Sequence, residues 1–267
     1  MKRLLRHPPW VRGNIISSRV KSRSCIIKEV KNVLIKSLSL LTVQLEELRH
    51  FYTVTLGLTL IEESQDYFTV QVGLSKLTFL RSLETFEKPY YHFAFDISNN
   101  KIQDSIRWLE ERKVDVNQLS DHAYLAYSKA WDSTSIYFYD PAGNILEFIA
   151  RHGLRNAREG HFQNTDVLRI SEIGLAVPDV PLTKKVIRSM FSLTEYKEFN
   201  DRFAAVGDEV GLFILAECQR VWLGSDKPAE IFKTVVEIEC SVEGDVIISD
   251  LPYRIISREA EAIQGTQ

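Results

Sequence analysis

Three segments of the chain repeat one pattern of hydrophobic and polar positions. Each begins with apolar residues at alternate positions, continues with apolar residues at helical spacing, and ends in short runs rich in β-branched and aromatic residues. The opening runs are 35–41, 91–97 and 170–177. A strand, a helix and three further strands, repeated along a chain, predict a βαβββ module.

The helical positions and later strands of each module follow from the same periodicities. In the first module they are Leu45, Leu48, Phe51 and Tyr52, ending at Gly57, then strands 58–62, 67–72 and 76–81. In the second they are Ile102, Ile106 and Leu109, with Asn99 and Asn100 as candidate caps, then strands 135–139 and 144–150. In the third, Pro181 begins a helix with Leu182, Val186 and Met190 on one face, then strands 195–199, 203–206 and 211–216.

One module cannot close a core around its own helix, so we expect the modules to pair. Residues 34–151 are predicted to form one complete pair, and 152–168 reads as a linker. Residues 169–267 are predicted to form a second, incomplete pair, because 235–240 resembles a fourth opening strand but 241–250 carries no helical pattern. The predicted fold class is α+β, with one complete pair of modules and one partial pair.

The two faces of the opening strands differ in chemistry. One face is apolar, with Leu38/Leu40, Phe93/Phe95/Ile97 and Ile173/Leu175/Val177, and we expect it to lie under the helices. The other face is small or polar, with Ser37/Ser39/Leu41, His92/Ala94/Asp96 and Glu172/Gly174/Ala176. That composition is typical of a surface lining a hollow, so we place candidate functional residues there.

A turn followed by an apolar strand gives the sharpest local signal. In Asp140-Pro-Ala-Gly-Asn144, Pro presets φ, Gly accepts a positive φ, and Asp can bond to the backbone that follows it. The next strand is apolar on both faces except for Glu147, which lies between Ile145 and Ile149. A buried carboxylate must be paired, protonated or bound to a cation. Its partner could be an arginine such as Arg107 or Arg151, or a metal ion.

Composition limits the class of protein and the cellular compartment. The chain has 267 residues, 45% hydrophobic and 26% charged, and a net charge of −3, which excludes disordered and fibrous classes. No apolar run is long enough to span a membrane. Three cysteines without close spacing are typical of a reducing compartment, so we expect a cytoplasmic protein. No glycine-rich phosphate loop is present, so no nucleotide cofactor is expected.

The charge is unevenly distributed along the chain. Residues 1–36 carry +9 and the remaining residues −12, so binding of nucleic acid by the main body is not expected. A nucleic-acid arm or an organellar presequence is a weaker interpretation of the basic residues 1–33. We favour the hypothesis that 1–32 is translated leader and that the native protein begins at Val33 or Leu34, because Lys28-Glu29-Val30 can encode a bacterial ribosome-binding sequence.

At three motifs the chain resembles the vicinal oxygen chelate superfamily, which includes glyoxalase I, fosfomycin and bleomycin resistance proteins, and extradiol dioxygenases. The motifs are the Tyr-Phe-Tyr-Asp-Pro-Ala-Gly-Asn-Ile-Leu-Glu-Phe phrase at 137–148, the helix end at 51–58, and Ile173 to Asp179. The resemblance implies paired βαβββ modules whose sheets form cups. In the family's metal enzymes, His and Glu from first and last strands hold a divalent ion in the cup.

Carried over by position, the resemblance gives His92 and Glu147 as metal ligands and catalytic residues. The first-module position that is usually His or Gln falls on Ser37, and the end of that module's last strand offers Thr78. Two protein ligands are fewer than the three or more of most mononuclear sites.

Further candidates complete the predicted pocket. Ser37, Ser39, Thr78 and Asp96 are predicted to line it, together with His122, Tyr124 and Trp131 from the segment before the last strands. Glu172 and Glu237 are weaker candidates for the second cup, because glutamates on the surface or in salt bridges are the favoured explanation there.

Two functions stay open from the sequence. One is an enzyme dependent on Mn, Fe, Ni or Zn, such as a lyase or ring-cleaving dioxygenase, acting on a small oxygenated molecule. The other is a metal-free protein that sequesters a small molecule, as bleomycin resistance proteins do. A homodimer is plausible, because the incomplete fourth module would leave a sheet edge for a second chain.

Overall fold

The computed structural model describes residues 32–84, 88–119, 123–197 and 200–259. In this part of the chain the runs of alternating apolar residues form strands and the runs at helical spacing form short helices. The strands are β1 Leu34–Thr42, β2 Thr59–Glu63, β3 Tyr67–Val72, β4 Ser75–Arg81, β5 His92–Ile97, β6 Ala126–Ser128, β7 Ser133–Tyr139, β8 Ile145–Arg151, β9 Val167–Val177, β10 Phe203–Gly207, β11 Leu212–Glu217, β12 Thr234–Cys240, β13 Gly244–Ile247 and β14 Tyr253–Glu259. The helices are α1 Leu45–His50, continued by a π-helical turn Phe51–Thr55, α2 Ile102–Glu110 and α3 Val180–Phe191.

The strands form two seven-stranded sheets. Sheet A has the order β13-β14-β12-β1-β4-β3-β2, and sheet B has the order β10-β11-β9-β5-β8-β7-β6. The first module therefore shares a sheet with the fourth, and the second with the third. This differs from the expected pairing of the first module with the second and of the third with the fourth.

Opening strands pair antiparallel at the centre of each sheet. Phe93 on β5 lies opposite Ile173 on β9, and Leu38 on β1 lies opposite Val236 on β12. The segment between β8 and β9 packs against the end of β5, where the Asn99 backbone N–H donates to Asn156 Oδ1 at 2.9 Å. β9 follows this segment and pairs with the edge of β5 that the first module was expected to fill.

The two sheets share one continuous hydrophobic core, which contains the apolar faces predicted for all three opening strands. Ser75 joins the sheets: its hydroxyl donates to the Ile35 carbonyl at 2.6 Å and accepts from the Ile170 N–H at 3.0 Å. None of the described helices is long and apolar enough to cross a membrane.

Several local predictions are wrong. Helix α3 buries Val180, Thr183, Ile187 and Phe191, whereas the predicted inner residues Leu182 and Met190 are exposed. The buried residues have helical spacing themselves, so the chain offers two such sets and the prediction chose the wrong one as the inner face. Asp179 caps the helix by accepting from the Leu182 N–H at 2.8 Å.

Two further expectations fail for local reasons. Lys101, not Asn99 or Asn100, occupies the N-cap position of α2, because both asparagines bond to the segment between β8 and β9. The strand predicted at 195–199 is reduced to one bridge between Glu195 and Val206, and residues 198 and 199 lie outside the described residues.

Candidate functional site

The Asp-Pro-Ala-Gly-Asn turn positions β8 beside β5. Asp140 Oδ1 accepts the N–H groups of Ala142 at 3.1 Å and Asn144 at 3.0 Å, and Gly143 has a φ of +79°. Asn144 Oδ1 accepts the Tyr91 N–H at 2.9 Å, so the end of the turn is fastened to the start of β5. The turn is thereby held on the strand that carries His92.

Glu147 and Glu172 lie on opposite sides of β5. Ala94 is paired with Glu147 of β8 in the parallel ladder and with Glu172 of β9 in the antiparallel ladder. His92 lies two residues earlier on the same side of β5. We call this side of sheet B, defined by His92, Ala94, Glu147 and Glu172, the site face.

His92, Glu147 and Glu172 form a buried group with the donor set of a metal site. One ligand atom from each lies within 4.8 Å of the others. Their exposed fractions are 6%, 4% and 4%. One imidazole nitrogen and two carboxylates suit borderline divalent ions such as Zn, Fe or Mn.

His92 is oriented as a metal ligand. Its Nδ1 lies 3.1 Å from the Ile145 carbonyl oxygen, which can only accept, so Nδ1 carries the proton and donates. Burial lowers the pKa of His92 to about 4, so the ring is neutral at pH 7. Nε2 then presents a lone pair towards Glu147 Oε2 at 3.6 Å.

Glu147 lacks the arginine partner that the sequence suggested. Arg107 pairs with Asp104 on α2, and Arg151 pairs with Glu172. Burial, followed by repulsion from the Glu172 carboxylate, raises the pKa of Glu147. With no cation present, the raised pKa favours a proton on Glu147, which can lie between Oε2 and His92 Nε2. A divalent cation between the two side chains would take the place of that proton.

Behind this group lie two buried ion pairs. Arg151 Nη2 donates to Glu172 Oε1, and Arg169 Nη2 donates to Asp96 Oδ2. Asp96 was predicted to line the pocket and is instead fully buried in its pair with Arg169. These pairs neutralise charges that would otherwise be costly inside the protein.

A hairpin after β11 covers the site face. Trp222 within it is 5% exposed, and its ring lies 4.9 Å from the His92 ring, centroid to centroid. Gly174 makes room for the indole, because a Cβ at Gly174 would lie 2.7 Å from Trp222 Cη2. The hairpin is fastened to the turn by Lys227, which donates to the Gly143 carbonyl at 2.6 Å.

Several predicted pocket residues lie on sheet A, whereas His92 and Glu147 lie on sheet B. Ser37 and Ser39 are on β1 and Thr78 is on β4, because the first module pairs with the fourth. Glu237 on β12 accepts from Ser37 Oγ at 3.4 Å and from Arg258 Nε. These four residues lie together on sheet A, and none of them is a histidine.

The remaining candidates lie at the edge of sheet B or outside the described part. Tyr124 is 47% exposed. Trp131 is half-buried and packs against Tyr196 with ring centroids 5.4 Å apart. His122 lies outside the described residues.

Sequence reasoning placed Glu172 in a different cup from His92 and Glu147 and did not find Trp222. Glu172 occupies the opening-strand position of the third module that His92 occupies in the second, so the repeat itself was the usable signal. Trp222 lies in a segment without periodicity, and only the small residue at Gly174 hints that a large side chain packs there.

No protein-family model matches the chain, and no curated protein sequence matches it. Solved structures do match. A proposed dioxygenase from Bacillus subtilis covers 86% of this chain with 86% of its own, at 14% identity and a TM-score of 0.58. A glyoxalase I variant from Zea mays covers 85% of this chain with 92% of its own, at 12% identity and a TM-score of 0.54. These likenesses show the fold: the chain has the vicinal oxygen chelate fold, as its sequence motifs implied.

Proposed function

We propose that the protein binds one divalent metal ion on the site face through His92 Nε2, Glu147 and Glu172, and acts on a small oxygenated molecule. The observation that carries the proposal is the convergence of His92, Glu147 and Glu172 in the protein interior, with one ligand atom of each within 4.8 Å of the others. Mn, Fe, Ni and Zn all suit these donors.

The protein's own residues would perform distinct tasks in such an enzyme. The Ile145 carbonyl fixes the His92 tautomer, and Arg151 holds Glu172 in place. Trp222 excludes water from the site face. When bound, the ion would supply Lewis-acid polarisation of the ligand's oxygens, the chemistry expected of a lyase or a ring-cleaving dioxygenase.

Metal analysis tests the proposal. We expect protein purified without chelator to hold one equivalent of Mn, Fe, Ni or Zn per chain. His92→Ala, Glu147→Gln and Glu172→Gln should each weaken metal binding at least about tenfold, because each removes one of three ligands. Glu237→Gln is the matched control, since Glu237 lies on sheet A, and it should leave the affinity unchanged.

A metal-free wild-type protein would refute the metal proposal. The alternative is then a binding protein of the bleomycin-resistance type, in which His92 and Glu147 only hydrogen-bond. The observation that favours this alternative is the Arg151–Glu172 pair, which neutralises one of the three donors without an ion. A cytoplasmic location and a homodimer remain predictions from the sequence for either function.

A further inference from the structure

Arg151 is a buried arginine with unused donors. Its side chain is 1% exposed, and Nη2 donates to Glu172. Neither Nε nor Nη1 has a hydrogen-bond partner among the described residues. Buried donors without partners cost free energy, so their retention calls for an acceptor that arrives from elsewhere.

Three half-buried aromatic rings lie in succession beside this guanidinium. The Tyr196 ring centroid lies 5.8 Å from Arg151 Cζ, and the Trp131 ring packs on Tyr196 at 5.4 Å. Phe203 continues the series, with its centroid 6.3 Å from that of Trp131. All three rings are half-buried, so each is partly in contact with solvent.

The Arg151 guanidinium and the aromatic rings beside it together favour one kind of ligand. A guanidinium presents nitrogen donors in a planar fork that matches a carboxylate. Flat aromatic walls favour a flat apolar body. Arg151 also donates to Glu172, which belongs to the group formed with His92 and Glu147.

We propose that Arg151 is the specificity-determining residue of the site face and anchors the carboxylate of a small aromatic acid that enters past Trp131 and Tyr196. This inference rests on the proposed function only in that the site face receives a small molecule. A competing arrangement is a water molecule bridging Arg151 to Asp96 Oδ1, which also lacks a partner among the described residues.

Benzoate and benzamide are the probes, because they share ring and size and differ in charge. Isothermal titration of the wild-type protein should show benzoate binding at least about tenfold more tightly than benzamide, the ratio expected of charge-assisted hydrogen bonds. Equal affinity, or no binding of either probe, would overturn the inference in favour of the bridging water.

A matched pair of variants isolates the guanidinium. Glu172→Gln keeps Arg151 and should keep the preference for benzoate. The double variant Arg151→Gln/Glu172→Gln removes both buried charges together and should lose the preference, whereas a preference that survives would overturn the inference. If the double variant does not fold, Arg151→Lys serves instead, because it keeps the charge without the fork and should weaken benzoate about threefold or more with benzamide unchanged.

Metal content measured on the same samples separates this inference from the proposed function. A preference for benzoate in a protein that binds no metal would leave Arg151 as the anchor and refute the metal site. Stoichiometric metal without a preference for benzoate would do the reverse.

Discussion

Asp140 is the residue on which the turn before β8 depends. Its carboxylate is 4% exposed, and besides the turn N–H groups it accepts from Tyr52 at 2.8 Å and from Asn144 Nδ2 at 2.7 Å. The Tyr52 contact joins the first module to the second. Burial outweighs these donors and raises the pKa of Asp140 to about 6.

This raised pKa predicts a measurable dependence of stability on pH. Because the folded-state pKa lies above the unfolded value, the protonated carboxyl favours folding. The stabilisation is complete below about pH 4 and is lost as pH rises through about 6, a change of about 3 kcal/mol. Urea unfolding of wild type and Asp140→Asn at pH 4 to 7 should show this slope in the difference between the two proteins. Parallel curves would mean that Asp140 titrates normally.

The sequence identified which individual residues carry the chemistry of the site better than it identified which residues contact one another. Glu147 stood out because a carboxylate interrupts an apolar strand, and His92 because it shares a polar face with Ala94 and Asp96. Their third companion, Glu172, was recognised at the repeated opening-strand position but placed in another cup, because its contact with them depends on β5 and β9 being neighbours. No local pattern encodes a pairing between strands so far apart along the chain.

The hairpin that covers the site face depends on close packing against β9. Trp222 fits because Gly174 has no side chain, and Gly224 in the hairpin turn packs where a Cβ would lie 2.1 Å from Tyr137 Cγ. The Gly224 φ is +72°, so glycine is also required for the backbone there. The hairpin is therefore fitted to β9 at Gly174 and to β7 at Tyr137.

Gly174→Ala tests this fit. The added methyl should displace the indole and reduce the free energy of unfolding by about 1–3 kcal/mol. In a Trp222→Leu background the same substitution should cost less than half as much, because the smaller side chain leaves room for the methyl. Chemical denaturation of the four proteins in this cycle measures the coupling. An equal cost in both backgrounds would place the strain elsewhere, for example at the His92 carbonyl.

At the scale of elements, periodicity recovered most strands to within a residue or two of their bounds. β3 spans the predicted 67–72, and β4 and β7 begin one and two residues earlier than predicted. At α3 the helix was predicted, but of two sets of residues at helical spacing the set that includes Val180, Ile187 and Phe191 is the buried one. The short β6 carried no clear signal, since three residues cannot display an alternation.

For the whole molecule, the repeat predicted paired modules but not which modules pair. Neighbours in sequence were the simplest choice, yet each opening strand presents the same kind of unpaired edge. The observed pairing is accompanied by contacts between 98–101 and the segment 152–168, which connects β8 to β9. As a result, both sheets contain strands from both predicted domains, 34–151 and 169–267.

Because each sheet contains strands from both halves of the chain, we predict that neither half is an independent folding unit. Expressed alone, residues 34–151 would leave the central edges of β1 and β5 unpaired and their apolar faces uncovered, so we expect them to self-associate or remain unfolded. Mixed with residues 152–267, they should form a folded one-to-one complex that brings His92 and Glu147 together with Glu172 again. Circular dichroism and size-exclusion chromatography of the separate and mixed halves provide the measurement. A folded, monomeric 34–151 would instead mean that the first two modules can pair with each other, because only that pairing buries both edges within one half of the chain.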